Sequence, residues 1–217
     1  MNILIAEDHE LTRLGYKNFI SISDVFQNIN FIEASDCEDG FKKILKISEN
    51  NINLDLAIID FSMPCYKIEN INNGGDLCLL IKKKIPNCKT IILTAIMENI
   101  TLFDITQNVK PDGLATKSDI THNNFIDILK DISLGNKYRS QYVKDKTEEI
   151  WRTNSFVNEI NRNILHYINN GYKINEIAEE LSVSESTIKK RISKIKQSLE
   201  LKEHDNLLKE TKKRGYM

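Results

Sequence analysis

The strongest constraint in this chain is an alternation: over its first 134 residues, short β-like apolar runs take turns with longer segments of helical period. The runs are Asn2 to Ala6, Ile29 to Glu33, Leu54 to Ile59, Thr90 to Thr94 and a weaker one at Gly113 to Thr116. Residues 10–22, 37–48, 74–84, 98–108 and 119–134 carry apolar residues at helical spacing. Strands separated by segments of that length read as parallel, because a parallel pair needs a crossover rather than a tight turn. Parallel crossovers are right-handed, which leaves few topologies. Residues 1–134 are therefore expected to form an α/β doubly wound domain, with Gly135 stopping its last helix.

The rest of the chain changes character. Residues 135–153, GNKYRSQYVKDKTEEIWRT, are polar with isolated aromatics and read as a linker with room for some helix. From residue 154 the period is helical throughout, so residues 154–217 are expected to form an all-α four-helix domain. Phe156, Ile160, Ile164, Leu165 and Ile168 make one apolar stripe, ended by Gly171. A second helix is expected from Ile174 to Leu181, then a tight turn at Ser182-Val183-Ser184. Ser184 offers N-cap chemistry to a third helix through Leu199, and a fourth spans Lys202 to Lys213.

Charge follows the same division. Residues 1–150 hold 17 Lys and Arg against 22 Asp and Glu, whereas residues 151–217 hold 13 against 9. Only the second part is expected to meet a polyanion. Cys37, Cys65, Cys78 and Cys88 lack metal-ligand spacing and read as reduced thiols. No apolar run approaches the ~20 residues of a membrane span, and the N-terminus lacks signal-peptide features, so a soluble cytoplasmic protein with no membrane partner is expected.

In open α/β sheets, ligands bind beyond the carboxyl ends of the strands. Glu7 and Asp8 follow the first run, Asp60 ends the third, Thr94 ends the fourth, and Lys117 follows the fifth. If the first and third strands are neighbours, three carboxylates converge on one hydroxyl and one ammonium. Such like charges raise one another's pKa unless a cation compensates, and an all-oxygen, partly hydrated site suits Mg²⁺. Asp60 is then placed to attack a phosphoryl donor, with Lys117 and Thr94 absorbing charge on the phosphoryl oxygens.

These residues give residues 1–134 a resemblance to the receiver domain of two-component response regulators, a doubly wound, flavodoxin-like fold. The matching elements are Glu7-Asp8, Asp60 with Met63-Pro64, Thr94-Ala95 and Gly113-x-x-x-Lys117. The resemblance implies that Asp60 is the phosphoacceptor, Asp8 a direct Mg²⁺ ligand and Glu7 a water-mediated one. It further implies that the Ser62 carbonyl completes the metal site, Lys117 pairs with the phosphate, and Thr94 is the switch hydroxyl. Two features depart from the pattern. Leu114 stands where receivers usually carry an aromatic switch residue, and the loop over residues 65–73 is longer than usual.

In the basic part, Ile188, Ile192, Ile195 and Leu199 recur at helical spacing. That leaves Glu185, Thr187, Lys189, Lys190, Arg191, Ser193, Lys194 and Lys196 on or near the outer face. Cations in that density suit phosphates and major-groove base edges. Gly171, Glu176, Ile177, Ala178, Leu181, Ser184, Thr187 and Lys189 resemble, without a gap, the LuxR/NarL-type helix-turn-helix output domain. The first helix departs from that family, with Asn- and Arg-containing sequence at 158–163 in place of its usual Thr-x-x-Glu opening.

Together the parts resemble a response regulator of the NarL/FixJ class. The resemblance implies a sensor histidine kinase as phosphodonor to Asp60, a homodimer when phosphorylated, double-stranded DNA as target, and gene regulation rather than enzymatic turnover as output. Three other readings stay open. One is a DNA-binding regulator with a phosphate-independent receiver, motivated by Leu114. Another is an aspartyl-phosphate phosphohydrolase, disfavoured because Ser62 stands where such enzymes carry a second Asp. The last is an interaction protein whose basic helix binds an acidic partner.

Overall fold

A computed structural model describes residues 1–152, 158–202 and 205–213. The chain divides into two compact units, one of Met1–Ile96 with Ile105–Val143 and the other of Met97–Asp104 with Lys144–Met217. In the first, strands β1 (Asn2–Ala6), β2 (Asn30–Ala34), β3 (Leu56–Asp60), β4 (Lys89–Thr94), β5 (Gly113–Thr116) and β6 (Tyr138–Arg139) form one sheet. Their order is β2-β1-β3-β4-β5-β6 and every pairing is parallel. Helices α1 (Glu10–Ser21), α2 (Cys37–Glu49), α3 (Gly74–Lys84) and α5 (His122–Ser133) are its crossovers, with α1 packed on α5 and α2 on α3. This is the doubly wound α/β sheet expected from the alternation of runs.

The strand residues alternate between faces, as a pleated strand requires. Ile3, Ile5, Leu56, Ile58, Ile91, Leu93 and Ala115 form a core with Ile20 of α1 and with Phe125, Ile128, Leu129 and Ile132 of α5. Burying each such Ile or Leu removes apolar surface worth about 1.5–3 kcal/mol. Gly135, at φ +95°, closes α5 as expected, since its left-handed backbone is one that glycine adopts without strain. Beyond it the polar connector takes on more structure than its composition suggests. Tyr138 and Arg139 add β6 beside Gly113 and Leu114, and Gln141–Arg152 forms helix α6. Val143 and Ile150 are fully buried, and two apolar residues seven apart on one helix face are too sparse a stripe to stand out in a polar segment.

The segment after β4 also differs from a single crossover helix over 98–108. It is a six-residue helix, α4 (Asn99–Asp104), followed by a π-turn over Ile105–Val109. The two pieces fall in different units. Phe103 of α4 joins Ile150, Leu165, Ile195, Leu199 and Leu207 in a core of the second unit. Asp104 Oδ1 lies 2.9 Å from Arg162 Nε. Burial raises the Asp104 pKa above the usual carboxylate range even against that guanidinium.

The remaining helices of the second unit are α7 (Glu159–Asn169), α8 (Ile174–Glu180), α9 (Glu185–Ser198) and α10 (Leu207–Lys213). Ile164, Ile177, Ala178 and Ile188 bind α7, α8 and α9 into one core. Gly171, at φ +83°, ends α7, and Ser182, at φ +51°, makes the turn between α8 and α9. Ser184 caps α9 by accepting from Thr187 N at 3.2 Å. The fourth helix begins at Leu207 rather than Lys202, later than its pattern suggests. Phe156 and residue 154, where the sequence places the start of the helical domain, lie outside the described residues.

Candidate functional site

At the carboxyl end of the sheet, β1 and β3 are adjacent, with Ala6 beside Ile59. That adjacency brings the carboxylates together. Ligand atoms of Glu7, Asp8, His9 and Asp60 all lie within 4.8 Å of one another. Glu7 and Asp60 are buried, Asp8 is partly exposed, and His9 is exposed with Nδ1 2.8 Å from Asp8 Oδ1. The cation that answers this crowd is Lys117, whose Nζ lies 2.9 Å from Glu7 Oε2 and 3.1 Å from Asp60 Oδ2. Burial works to lower the Lys117 pKa, but its hydrogen bond to Glu7 and the charge on Asp60 outweigh burial and raise it.

The supporting shell comes from several elements. Gly74, the first residue of α3, donates its N–H to Phe61 O at 2.9 Å. A Cβ there would come within 1.9 Å of Asp60 O, so only glycine lets α3 approach the end of β3. Asn73 caps α3 and accepts from Gly75 N at 2.8 Å. The longer 65–73 loop folds back on itself, with Tyr66 bridged to Ile71 and a short 3-10 turn at Lys67–Glu69. Arg13 donates to Glu7 O at 2.6 Å and ties down the segment that carries the acidic pair.

Ser62 N donates to Asp60 Oδ1 at 3.4 Å. Thr94, fully buried, stands one residue beyond Leu93, the register partner of Asp60. Its Oγ1 accepts from Ile96 N at 3.0 Å, which leaves the hydroxyl hydrogen to donate elsewhere. Leu114 is completely buried on β5. Sequence reasoning missed Tyr16, whose pKa is raised by burial and then by the charges of Glu7 and Asp60. It also missed Arg13 and His9. Each stands on or beside α1, where an isolated polar residue carries no motif signal.

The three carboxylates of this cluster, Glu7, Asp8 and Asp60, fit a hard divalent cation. Glu7 and Asp60 support the fit, being two buried carboxylates that share the Lys117 ammonium, so that negative charge is left over for a cation.

The second candidate surface is α9. Its apolar stripe is buried at Ile188, Ile195 and Leu199, as the spacing predicts. The polar residues named from sequence do not form one uniform face. Lys189 and Ser193 line a hollow beside Ile174 and Leu201, whereas Thr187, Lys190, Arg191 and Lys194 line a separate cleft with Asn161 of α7. Lys189 Nζ pairs with Glu185 Oε2 at 3.3 Å, one helical turn away. Arg191 reaches across to α7, donating to Asn161 Oδ1 at 2.9 Å. Asn158 caps α7, accepting from Asn161 N at 3.4 Å, where the resembled family usually carries a Thr-x-x-Glu opening. At the start of α8, Glu176 accepts from Lys173 N at 2.7 Å.

A family profile described as an HTH domain matches residues 161–217. The oxygen regulatory protein NreC of Staphylococcus carnosus is 27% identical over 225 residues, covering 96% of this chain and 95% of the relative. The Staphylococcus epidermidis NreC is 25% identical at the same coverage. Among solved structures, RcsB of Salmonella enterica serovar Typhimurium, bound to a promoter with the phosphomimetic BeF3-, superposes with TM-score 0.64 at 20% identity over 96% of both chains. A LuxR-family two-component response regulator from Aurantimonas sp. SI85-9A1 superposes with TM-score 0.53 at 17% identity, covering 68% of this chain and 95% of that one. The likeness to RcsB thus takes in both the sheet and the C-terminal helices.

Proposed function

We infer that this chain is a response regulator of the NarL/FixJ type, a transcriptional regulator controlled by phosphorylation. The observation that carries the reading is the convergence of Asp60, Glu7, Asp8 and Lys117 at the carboxyl end of a doubly wound sheet, in a chain that ends in a helix-turn-helix. Full-length similarity to NreC and to a promoter-bound RcsB supports it.

On this reading Asp60 is the nucleophile. One carboxylate oxygen forms a bond to phosphorus as the bond from phosphorus to the kinase histidine nitrogen breaks, and that imidazole takes up a proton. Lys117 is released from its contact with Asp60 and pairs with a phosphoryl oxygen, and Thr94 donates its hydroxyl hydrogen to another. Glu7, Asp8, Asp60 and the Ser62 carbonyl would hold Mg²⁺, which when bound neutralises charge on the phosphoryl oxygens. The partner upstream is a sensor histidine kinase, and the site of action is the cytoplasm. Among the described residues no helix is long and apolar enough to cross a membrane. Downstream, the phosphorylated form dimerises so that two α9 helices meet successive half-sites of a DNA duplex. Glu185, Thr187, Lys189, Lys190, Arg191, Ser193 and Lys194 face the DNA. Residues 1–134 carry the phosphorylation chemistry and residues 154–217 the DNA contact.

The test is the intact mass after incubation with a small phosphodonor and Mg²⁺, beside Asp60→Asn and a chelated control. Gain of one phosphoryl group that needs both Asp60 and the metal is expected; labelling of the Asp60→Asn variant sinks the assignment. Leu114 favours a second reading, in which the receiver no longer switches. A buried aliphatic side chain cannot swing a ring inward, and unchanged DNA affinity on phosphorylation would support that alternative.

A further inference from the structure

Arg191 is held by two side-chain amides of α7 and its cap. Its Nη1 donates to Asn161 Oδ1 at 2.9 Å and to Asn158 Oδ1 at 3.3 Å. Both acceptors are neutral amides. Asn158 is itself anchored as the N-cap of α7, and Asn161 is 7% exposed, so the pair forms a rigid seat for the guanidinium. Among the described residues no carboxylate pairs with Arg191, whereas Lys189 on the opposite flank is paired with Glu185. A neutral clamp orients the guanidinium without cancelling its charge, and leaves Nη2 and Nε to a further acceptor. Arg191, Lys190, Lys194, Thr187 and Asn161 line one cleft of about 330 Å³, with three cations, a hydroxyl and no acidic side chain.

We propose that this cleft between α7 and α9 seats one backbone phosphate of the DNA duplex, gripped by Arg191, with Asn158 and Asn161 as its positioning residues. The proposal rests on the DNA-binding reading and sharpens it. Arg191 reads no base here. It sets the register of α9 on the duplex, because a guanidinium held from behind offers a fixed two-donor fork to a phosphate. A flexible lysine at the same place would supply charge without that fixed geometry.

The experiment titrates the full-length protein with a short random-sequence duplex over a chloride series, for the parent, Arg191→Gln and Asn161→Asp. Gln keeps a donor for the two amides but removes the charge. Asp keeps an acceptor in place and turns the neutral clamp into an ion pair that consumes the charge. Each variant is expected to bind about tenfold more weakly and to lower the slope of log affinity against log salt by about one, the signature of a single lost phosphate contact. A purely structural role for Arg191 would leave that slope alone. Slopes unchanged in both variants, with the parent still binding in a salt-dependent way, overturn the phosphate seat and leave the DNA reading standing. A parent without salt-dependent binding overturns both. Inorganic phosphate is expected to displace duplex no better than chloride at equal ionic strength; selective displacement would make this a site for free phosphate and overturn the assignment.

Discussion

The two charged regions of this molecule solve opposite problems. At the carboxyl end of the sheet, Glu7 and Asp60 are buried beside Asp8, and a single lysine bridges the buried pair. Along α9 the cations stand at or near the surface, and Arg191 among them is held by side-chain amides that leave its charge intact. A buried cluster concentrates charge where water cannot screen it and so can bind a cation and direct chemistry at one oxygen. A surface array stays screened, and suits a long polyanion whose own counterions are released on contact.

That contrast can be broken at several points. The largest effect is expected from Asp60→Asn, which abolishes phosphoryl transfer from a small donor, as read by intact mass. Next is Lys117→Met: loss of the ammonium should slow phosphoryl transfer by about 10²-fold, measured by the rate of labelling, while DNA binding by the unphosphorylated protein is untouched. Equal labelling rates would show that Lys117 serves only to neutralise the neighbouring carboxylates. On the other region, Lys190→Ala should weaken operator binding about tenfold without changing the thermal midpoint, and equal affinity would remove Lys190 from the interface.

The smallest effect concerns stability. Burial opposes ionisation of Asp112, but Lys137 and the Thr90 backbone and hydroxyl outweigh it and hold its carboxyl below the usual carboxylate range. A depressed carboxylate pKa stabilises the fold above the unfolded value of about 3.9, and that contribution disappears as pH falls through the folded value. Asp112→Asn should therefore lower the thermal midpoint by about 3 °C at neutral pH and narrow the difference from the parent in acid. A gap that widens on acidification would reverse the assignment.

Local pattern made much of this legible. The β1 and β5 boundaries, the helix stops at Gly135 and Gly171, and the Ser184 cap match their sequence signals, because strand period, left-handed backbone and capping chemistry are all local. The site was legible only through order and spacing: Glu7-Asp8, Asp60 and Lys117 each follow a run of strand character, which places them at the same sheet edge. The role of α4 was not legible, since Phe103 joins a core made from α6, α7, α9 and α10, and no local period announces a distant partner. Nor was β6, because two residues are too short for alternation to register.

What the chain's pattern settled, then, is the succession of β1 to β5 and of the helices between them, the apolar stripe of α9 and the position of every charged group along the chain; these follow from local sterics and apolar period. Only the tertiary structure decided which charges meet. The bridging of Glu7 to Asp60 by Lys117, 110 residues away from Glu7, depends on β5 lying two strands from β3. The seating of Arg191 on Asn158 and Asn161 depends on α7 crossing α9. Contacts between residues so far apart in sequence are set by packing of whole elements, and no spacing along the chain encodes them.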